Sequence, residues 1–252
     1  MTFNDLLTAQ AEFDCPPAPA ILKSMTMNSI AAYIDHTLLR ADATIKDIER
    51  LCAEASECSF CCVCVNGSWV HHACHLLEKS TVHVATVVGF PLGAMSSEAK
   101  RFEAETAISH GAHEIDVVAN IGRLKQGDEE YILHELREIV GAAGGRIVKV
   151  ILETCLLTMD EKIRGCRLTV DSGAHFVKTS TGFSSGGATT ADIALMRKIL
   201  GPEFGIKASG GIRDAGTALA MIDAGATRIG TSAGVDIFKE WLGAVNSKPR
   251  GL

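Results

Sequence analysis

Two lysines, each placed at the end of a short apolar run, are the residues best suited to chemistry in this sequence. Lys178 ends AHFVK (174–178) and Lys207 lies in FGIKA (204–208). If these runs are neighbouring strands, the two amines lie close together and each opposes the charging of the other, so one amine is neutral near pH 7. A neutral amine attacks a carbonyl group and forms a Schiff base, whose iminium allows a carbon–carbon bond to break or form. The pair therefore indicates carbonyl chemistry that needs no metal.

Further polar residues close other apolar runs. Asp116, within HEIDVV (113–118), could move protons as the Schiff base forms and collapses. A single lysine at a strand end extends to solvent or pairs with an acid about as often as it reacts. Two converging lysines favour the catalytic interpretation. The other polar residues at strand ends are Asp35, Cys64, Asn66, Asn120 and Glu153.

Glycine-rich segments follow both lysines and the last apolar run. They are TSTGFSSGG (179–187), ASGGIRD (208–214) and IGTSAG (229–234). In β/α barrels the loops after the last strands commonly hold a phosphate through backbone amides and a helix amino terminus. A glycine pair by itself is more often a simple turn, but three such segments after late strands predict a phosphate site. The predicted donors are Gly182, Gly210, Gly211, Gly230 and Ser232.

The elements that must position these residues follow a repeating pattern. Short, nearly continuous apolar runs, typical of parallel strands covered on both faces, alternate with amphipathic segments. Helix-capping patterns begin three of these segments, at Thr44, Thr158 and Thr189. The eight runs are YIDH at 33, FCCVCV at 60, VHVATVV at 82, HEIDVV at 113, RIVKVIL at 146, AHFVK at 174, FGIKA at 204 and TRIG at 227.

Eight strand–helix units of about 28 residues predict a (β/α)8 TIM barrel, an α/β fold. A doubly wound open sheet is the alternative, but it would place a G-x-G-x-x-G turn after the first strand, and DHTLLRAD (35–42) contains no glycine. The predicted domain organisation is therefore one barrel domain over residues 30–245. An N-terminal extension over residues 1–29 precedes it, and a C-terminal tail over 246–252 follows.

Composition favours a small-molecule partner. Of 252 residues, 47% are hydrophobic, and 24 Lys+Arg against 30 Asp+Glu give a net charge of −6, which disfavours nucleic acid or an anionic membrane as a partner. No apolar stretch has the length of a membrane span, and Met1 to Cys15 carry acids without Lys or Arg, unlike a secretory signal. Nine cysteines, an odd number with several closely spaced between 58 and 64, suit reduced thiols better than a disulfide framework. We expect a soluble cytoplasmic protein.

Several motifs together closely resemble the deoxyribose-phosphate aldolase family over about residues 30–240. The resemblance implies a TIM barrel and a class I aldolase that reversibly cleaves 2-deoxy-D-ribose 5-phosphate to D-glyceraldehyde 3-phosphate and acetaldehyde, in deoxynucleoside catabolism. It implies no metal or other cofactor, and a homo-oligomer of two or four chains. The motifs are IDHTLL at 34, VCVN at 63, VVGFPLG at 87, EIDVVANIG at 114, VKVILET at 148, FVKTSTGF at 176, KASGGIR at 207 and RIGTS at 228.

The resemblance also implies roles for individual residues. Lys178 would be the Schiff-base lysine, Lys207 the cation that lowers its pKa, and Asp116 the proton donor and acceptor. Asp35 would complete a proton relay with Lys207, and Cys64 would lie near the aldehyde without being required for chemistry.

The resemblance further implies a set of substrate-binding residues. Some relatives carry Lys where this chain has Phe183 and a second Ser where it has Ala233, so the phosphate should depend more on backbone amides and on Arg213. With Cys64, the predicted substrate-binding residues are Thr181, Gly182, Gly210, Gly211, Arg213, Gly230 and Ser232.

Cysteines and histidines between residues 58 and 75 raise the question of a zinc site. Cys61 and Cys62 are expected on opposite faces of one strand, so packing in the core is the preferred interpretation, and no metal site is predicted. His36 is likewise expected to be a hydrogen-bonded structural residue. Lys149 stays open: it is either a buried charge paired with an acid such as Asp116 or Glu114, or simply structural.

Two other functional classes remain compatible with the sequence. One is a barrel isomerase or other phosphosugar enzyme without a covalent intermediate, which would keep the glycine loops and need only acid–base residues. The other is a non-catalytic phosphosugar-binding barrel.

Overall fold

A computed structural model describes residues 30–246 and shows eight parallel strands that close into a barrel in sequence order. Each predicted apolar run overlaps one strand, and three strands extend one or two residues past their runs, so the predicted TIM barrel is confirmed. The strands are β1 Ile34–Leu38, β2 Cys62–Val65, β3 His83–Val88, β4 Glu114–Val118, β5 Ile147–Ile151, β6 Phe176–Lys178, β7 Gly205–Ser209 and β8 Arg228–Thr231.

Nine helices of the described region cover the outside of the barrel. The last one ends at Asn246, one residue beyond the predicted end of the barrel domain, and the predicted extension (1–29) lies outside the described residues. The helices are α1 Ile45–Cys58, α2 Val70–Leu76, α3 Ser97–Ser109, α4 Ile121–Gln126, α5 Glu129–Ala142, α6 Met159–Asp171, α7 Thr190–Leu200, α8 Ala215–Asp223 and α9 Gly234–Asn246.

The predicted helix starts are confirmed. Thr158 and Glu161 form a capping box at α6, and at α1 the Asp47 carboxylate accepts a hydrogen bond from the backbone amide of Thr44 at 2.9 Å. At α7 the Thr189 side chain accepts a hydrogen bond from the backbone amide of Asp192, at 3.0 Å. Each side-chain oxygen satisfies an amide that has no partner within its helix, which fixes where the helix begins.

Alternation along the strands separates two cores. Val63 and Val65 of β2 pack in the large apolar layer between strands and helices, whereas Cys62 and Cys64 point into the barrel. The same period of two places Asp116 and Lys149, which are register partners across β4 and β5, on buried positions. The barrel interior thus combines small apolar residues with a set of buried charges, and those charges have to be paired.

The eight cysteines of residues 30–246 are all free thiols, in line with the reduced thiols predicted from the sequence. Among helices in this part of the chain, none is both long and apolar enough to cross a bilayer. The cytoplasmic location stays a prediction.

Candidate active site

Asp116 on β4 brings three lysines together inside the barrel. Its Oδ2 accepts hydrogen bonds from Lys178 Nζ at 2.8 Å and from Lys207 Nζ at 2.7 Å. Its Oδ1 accepts from Lys149 Nζ at 2.7 Å. Lys178 and Lys207 are register partners across β6 and β7, so the two amines converge on a single carboxylate oxygen, as the sequence predicts.

A second set of ion pairs extends this centre toward β1 and β8. Lys207 Nζ lies 2.5 Å from Asp35 Oδ2, and Arg228 Nε donates to Asp35 Oδ1 at 2.8 Å. Arg228 also pairs with Glu114 at 3.1 Å, and Lys149 contacts the same Glu114 carboxylate. Of the two interpretations left open for Lys149, the structure supports the buried charge paired with Asp116 and Glu114. We call these residues the buried charge cluster: Asp35, Glu114, Asp116, Lys149, Lys178, Lys207 and Arg228.

The buried charge cluster contains four basic side chains and three carboxylates. Lys149 pairs with three carboxylates, Lys207 and Arg228 pair with two each, and Lys178 pairs with one. An unbalanced charge in a buried site is costly, and the group with the fewest opposite charges is the first to give up its proton. The electrostatics therefore favour loss of a proton from Lys178 rather than from Lys149, Lys207 or Arg228.

The pKa shifts of Lys178 and Lys207 agree with this difference in their carboxylate partners. Burial lowers the pKa of Lys178, and the Lys207 ammonium lowers it further, against the opposing effect of Asp116. Burial also acts against a charged Lys207, but Asp116 and Asp35 outweigh it and raise the pKa of Lys207 well above its usual range. For Asp116, burial is outweighed by Lys149, Lys178 and Lys207, which hold its pKa well below the usual range. The two neighbouring amines are thus shifted in opposite directions: the pKa of Lys178 is lowered and that of Lys207 is raised.

Lys178 opens onto a cavity of about 320 Å³ at the carboxyl ends of the strands. Loops after β1, β6, β7 and β8 line it. Seven of the predicted substrate-binding residues lie in this lining: Thr181, Gly182, Gly210, Gly211, Arg213, Gly230 and Ser232. Ser232 is followed after one residue by the start of α9, so the amino terminus of that helix adjoins the cavity.

Two of the glycines are required by space or backbone conformation. Gly210 has φ +87°, and a Cβ there would lie 3.0 Å from the Cα of Gly187. At Gly230 a Cβ would lie 2.9 Å from Cε of Lys207, so a larger residue would displace the charged lysine.

Of the remaining strand-end residues, Cys64 lies near the buried charge cluster, whereas Asn66 and Asn120 hydrogen-bond to the backbone. Cys64 is not among the residues that line the cavity; it is fully buried in the barrel, close enough to Asp116, Lys207 and Lys178 to sense their charges. Its proximity to the aldehyde stays a prediction. Asn66 donates to the backbone oxygen of Leu39 at 3.2 Å, and Asn120 caps α4.

The prediction that His36 is a hydrogen-bonded structural residue is confirmed. Its Nε2 pairs with Glu54 of α1 at 2.8 Å, so the ring connects β1 to the outer helix layer while the neighbouring Asp35 points into the barrel.

The sequence predicted no role for two supporting residues, Arg228 and Glu153, although Glu153 was noted at a strand end. Arg228 begins β8 and holds Asp35 and Glu114 in place. Glu153 follows β5, is 2% exposed and accepts hydrogen bonds from both the backbone amide and the hydroxyl of Thr181. The available signal was a charged residue next to a buried run, which requires a buried partner.

The prediction that Cys61 and Cys62 face opposite sides of one strand is wrong. Cys61 lies before β2 rather than within it, so strand alternation does not fix its direction. The Sγ atoms of Cys61 and Cys62 and a carboxylate oxygen of Asp35 all lie within 4.8 Å of one another.

A TIM barrel with a buried amine of lowered pKa at the carboxyl ends of its strands has the architecture of an aldolase that acts through a covalent imine. Comparison with known proteins gives the family. Residues 29–240 match the family model described as DeoC/LacD family aldolase, and the chain belongs to this family.

The chain is 59% identical over 213 residues to a deoxyribose-phosphate aldolase of Alkaliphilus oremlandii, covering 84% of this chain and 96% of the relative. It is 56% identical to the deoxyribose-phosphate aldolase of a Geobacillus species, covering 83% and 95% of the two chains. A tetrameric deoxyribose phosphate aldolase from Aeropyrum pernix superposes with a TM-score of 0.81 at 34% identity, covering 89% and 97%. The enzyme is a lyase of the aldolase class.

Proposed function

We propose that this aldolase reversibly cleaves 2-deoxy-D-ribose 5-phosphate to D-glyceraldehyde 3-phosphate and acetaldehyde through a Schiff base on Lys178, and that it serves deoxyribonucleoside breakdown. One observation carries the proposal: the buried amine with the fewest carboxylate partners in the buried charge cluster is the one that faces the cavity. Relatives that share more than half of their residues with this chain are named for the same substrate.

Lys178 begins the reaction as a neutral amine. Its Nζ attacks the C1 aldehyde carbon of the open-chain sugar, and the carbinolamine loses water to give an iminium. The iminium accepts the electron pair of the C2–C3 bond as that bond breaks, while the C3 hydroxyl gives up its proton. The triose phosphate leaves, and the enamine is protonated at C2 and hydrolysed to acetaldehyde. The iminium itself is the electron sink, so this sequence requires no metal.

Asp116 is the proposed proton carrier for these steps. Its Oδ2 lies 2.8 Å from Lys178 Nζ, within reach of the proton that must leave the carbinolamine nitrogen. The same oxygen accepts from Lys207, which is paired in turn with Asp35. Asp116, Lys207 and Asp35 thus form a continuous path along which a proton can be returned.

The glycine loops form the proposed phosphate site. Backbone amides after β7 and β8, the amino terminus of α9 and the exposed Arg213 surround one end of the cavity. Phe183 stands at the same cavity, with its ring edge-to-face against Phe90 at 5.2 Å, and brings no charge. Phosphate binding therefore depends on the backbone, the helix and Arg213.

The Ser232→Asp variant should selectively harm the phosphorylated substrate. A carboxylate beside the phosphate repels it, so we expect kcat/KM for deoxyribose 5-phosphate to fall by about 100-fold, while free deoxyribose changes by a few-fold at most. Ser232→Asn is the matched neutral control and should retain most of the discrimination. Equal losses for both sugars would place the phosphate elsewhere.

Product analysis tests the proposed function itself. Incubation with 2-deoxyribose 5-phosphate should release acetaldehyde and triose phosphate in equal amounts. A ketose phosphate without acetaldehyde would instead identify a non-covalent isomerase, and binding without any product would identify a binding protein.

We also propose that the aldolase is a homo-oligomer of two or four chains. The A. pernix relative is described as tetrameric, and this chain exposes the large apolar side chains Leu92, Met95 and Phe102 on the region between β3 and α3 and on α3 itself. The mass of the purified protein in solution distinguishes two or four chains from one.

A further inference from the structure

The amino-terminal end of the barrel places two thiols, which the proposed aldol mechanism does not use, beside Asp35 of the proposed proton path. One ligand atom from each of Cys61, Cys62 and Asp35 lies within 4.8 Å of the other two. The ligand atoms of Cys62, His83 and Glu114 also lie within 4.8 Å of one another, so the two groups share the Cys62 sulfur. Two thiols, a carboxylate and an adjoining imidazole are the donor set that zinc and cadmium prefer.

We propose that Cys61, Cys62 and Asp35 bind a thiophilic divalent cation such as Zn²⁺ or Cd²⁺ at the amino-terminal end of the barrel, and that the bound ion inhibits the aldolase. The inhibitory part rests on the function proposed for Lys207 and Asp35.

The geometry suits tetrahedral coordination. With metal–sulfur bonds of about 2.3 Å, two thiolate ligands lie about 3.8 Å apart, so sulfurs within 4.8 Å need to move by no more than about 1 Å. Cys61 is partly exposed and the His83 side chain is 54% exposed, which leaves an entry path beside the fully buried Cys62. A water molecule can complete the coordination sphere.

The charges also permit binding. Each thiol releases its proton to solvent as its metal–sulfur bond forms, so uptake of one dication with loss of two protons leaves the net charge of the site unchanged.

Oxidation to a disulfide fits this pair less well than metal binding. Cα atoms of adjacent residues joined by a trans peptide are about 3.8 Å apart, whereas bridged cysteines are usually 4.4–6.8 Å apart. Cys62 is also fixed in β2, with register partners on both β1 and β3. A metal ion can bind the two sulfurs without this backbone constraint.

Asp35 links the proposed site to catalysis. Its carboxylate pairs with Lys207 at 2.5 Å and with Arg228 at 2.8 Å. A dication on Asp35 competes with Lys207 for that carboxylate, weakens the ion pair that keeps Lys207 charged and interrupts the proposed proton path. We therefore expect occupation of the site to lower kcat.

Cadmium titration of the reduced enzyme tests the site independently of activity. We expect a thiolate-to-cadmium absorption band that saturates at one ion per chain. The Cys61→Ala variant should bind Cd²⁺ at least about 100-fold more weakly, since changes outside the ligands themselves already cost 10–100-fold. Cys58→Ala, which removes a partly exposed thiol at the end of α1, is the matched control and should bind like the wild type. Unchanged binding by Cys61→Ala, or no band in the wild type, would overturn the site.

Turnover with added Zn²⁺ tests the inhibitory link. The wild type and Cys58→Ala should lose turnover in parallel with occupation, and Cys61→Ala should keep it. Binding without inhibition would overturn the link to Asp35 and leave the aldolase function intact. An absence of acetaldehyde release from the metal-free enzyme would contradict the proposed function while the absorption band still reported on the metal site. Cys62→Ala is a second variant. Because Cys62 is buried, metal binding by this variant is interpreted only if its melting curve matches that of the wild type.

Discussion

The Lys178→Arg variant should lose at least about 10⁴-fold in kcat for aldol cleavage while keeping the barrel fold. Arginine retains a positive charge near Asp116, but its guanidinium stays protonated at any working pH and cannot attack a carbonyl. Removing a covalent nucleophile typically costs more than this amount. The measurement is acetaldehyde release at saturating substrate, together with a thermal melt.

Two further variants separate chemistry from folding. Lys178→Met removes the amine with little change in length and should be equally inactive. Lys125→Arg alters an exposed lysine that pairs with Glu161 and should retain full turnover. Turnover of Lys178→Arg close to the wild-type value would remove Lys178 from the role of nucleophile.

The Lys207→Leu variant should move the acid limb of the pH–rate profile upward. Without the Lys207 ammonium, the like charge that lowers the pKa of Lys178 is gone. The Asp116 carboxylate also has one cation fewer beside it, so it interacts more strongly with Lys178. Both changes raise the pKa of Lys178. A rise of about one unit leaves about tenfold less neutral amine at a given pH below the pKa, so kcat/KM falls most at low pH and recovers as the pH increases.

Lys207→Arg is the matched control, because it preserves the charge. Its acid limb should stay near that of the wild type even if kcat falls through altered geometry. An acid limb that does not move in Lys207→Leu would show that the two amines are not electrostatically coupled.

The strands and the paired lysines could be predicted from the sequence for a simple reason. Parallel strands buried on both faces require continuous apolar runs, and consecutive strands in a barrel are neighbours, so Lys178 and Lys207 had to converge once β6 and β7 were placed. Helix starts were equally local, since a threonine and the residue three positions later determine the cap.

The role of Arg228 could not be predicted in the same way. Its partners Asp35 and Glu114 are 193 and 114 positions away in the chain. Closure of the barrel by pairing of β1 with β8 brings Asp35 and Arg228 together. A charged residue at the start of an apolar run has the same local pattern whether it is exposed or buried against distant acids.

Cys61 and Lys149 illustrate two different limits. Cys61 lies one residue before β2 begins, so the alternation of side chains along the strand does not determine where its side chain points. For Lys149, the sequence was compatible with either face of β5. The strand register places Lys149 beside Asp116, and this shows that it faces the barrel interior. The sequence located the paired lysines Lys178 and Lys207, whereas the balance of charge around them depends on contacts between distant strands.

Reduction with borohydride in the presence of acetaldehyde is the most direct test of the central claim that Lys178 is a neutral, imine-forming amine. Peptide mass mapping of the wild type should find an ethyl group on Lys178, and the Lys178→Arg variant should carry none within the barrel. Labelling of Lys207 or Lys149 instead, or full turnover by an enzyme that traps no substrate fragment, would contradict the account.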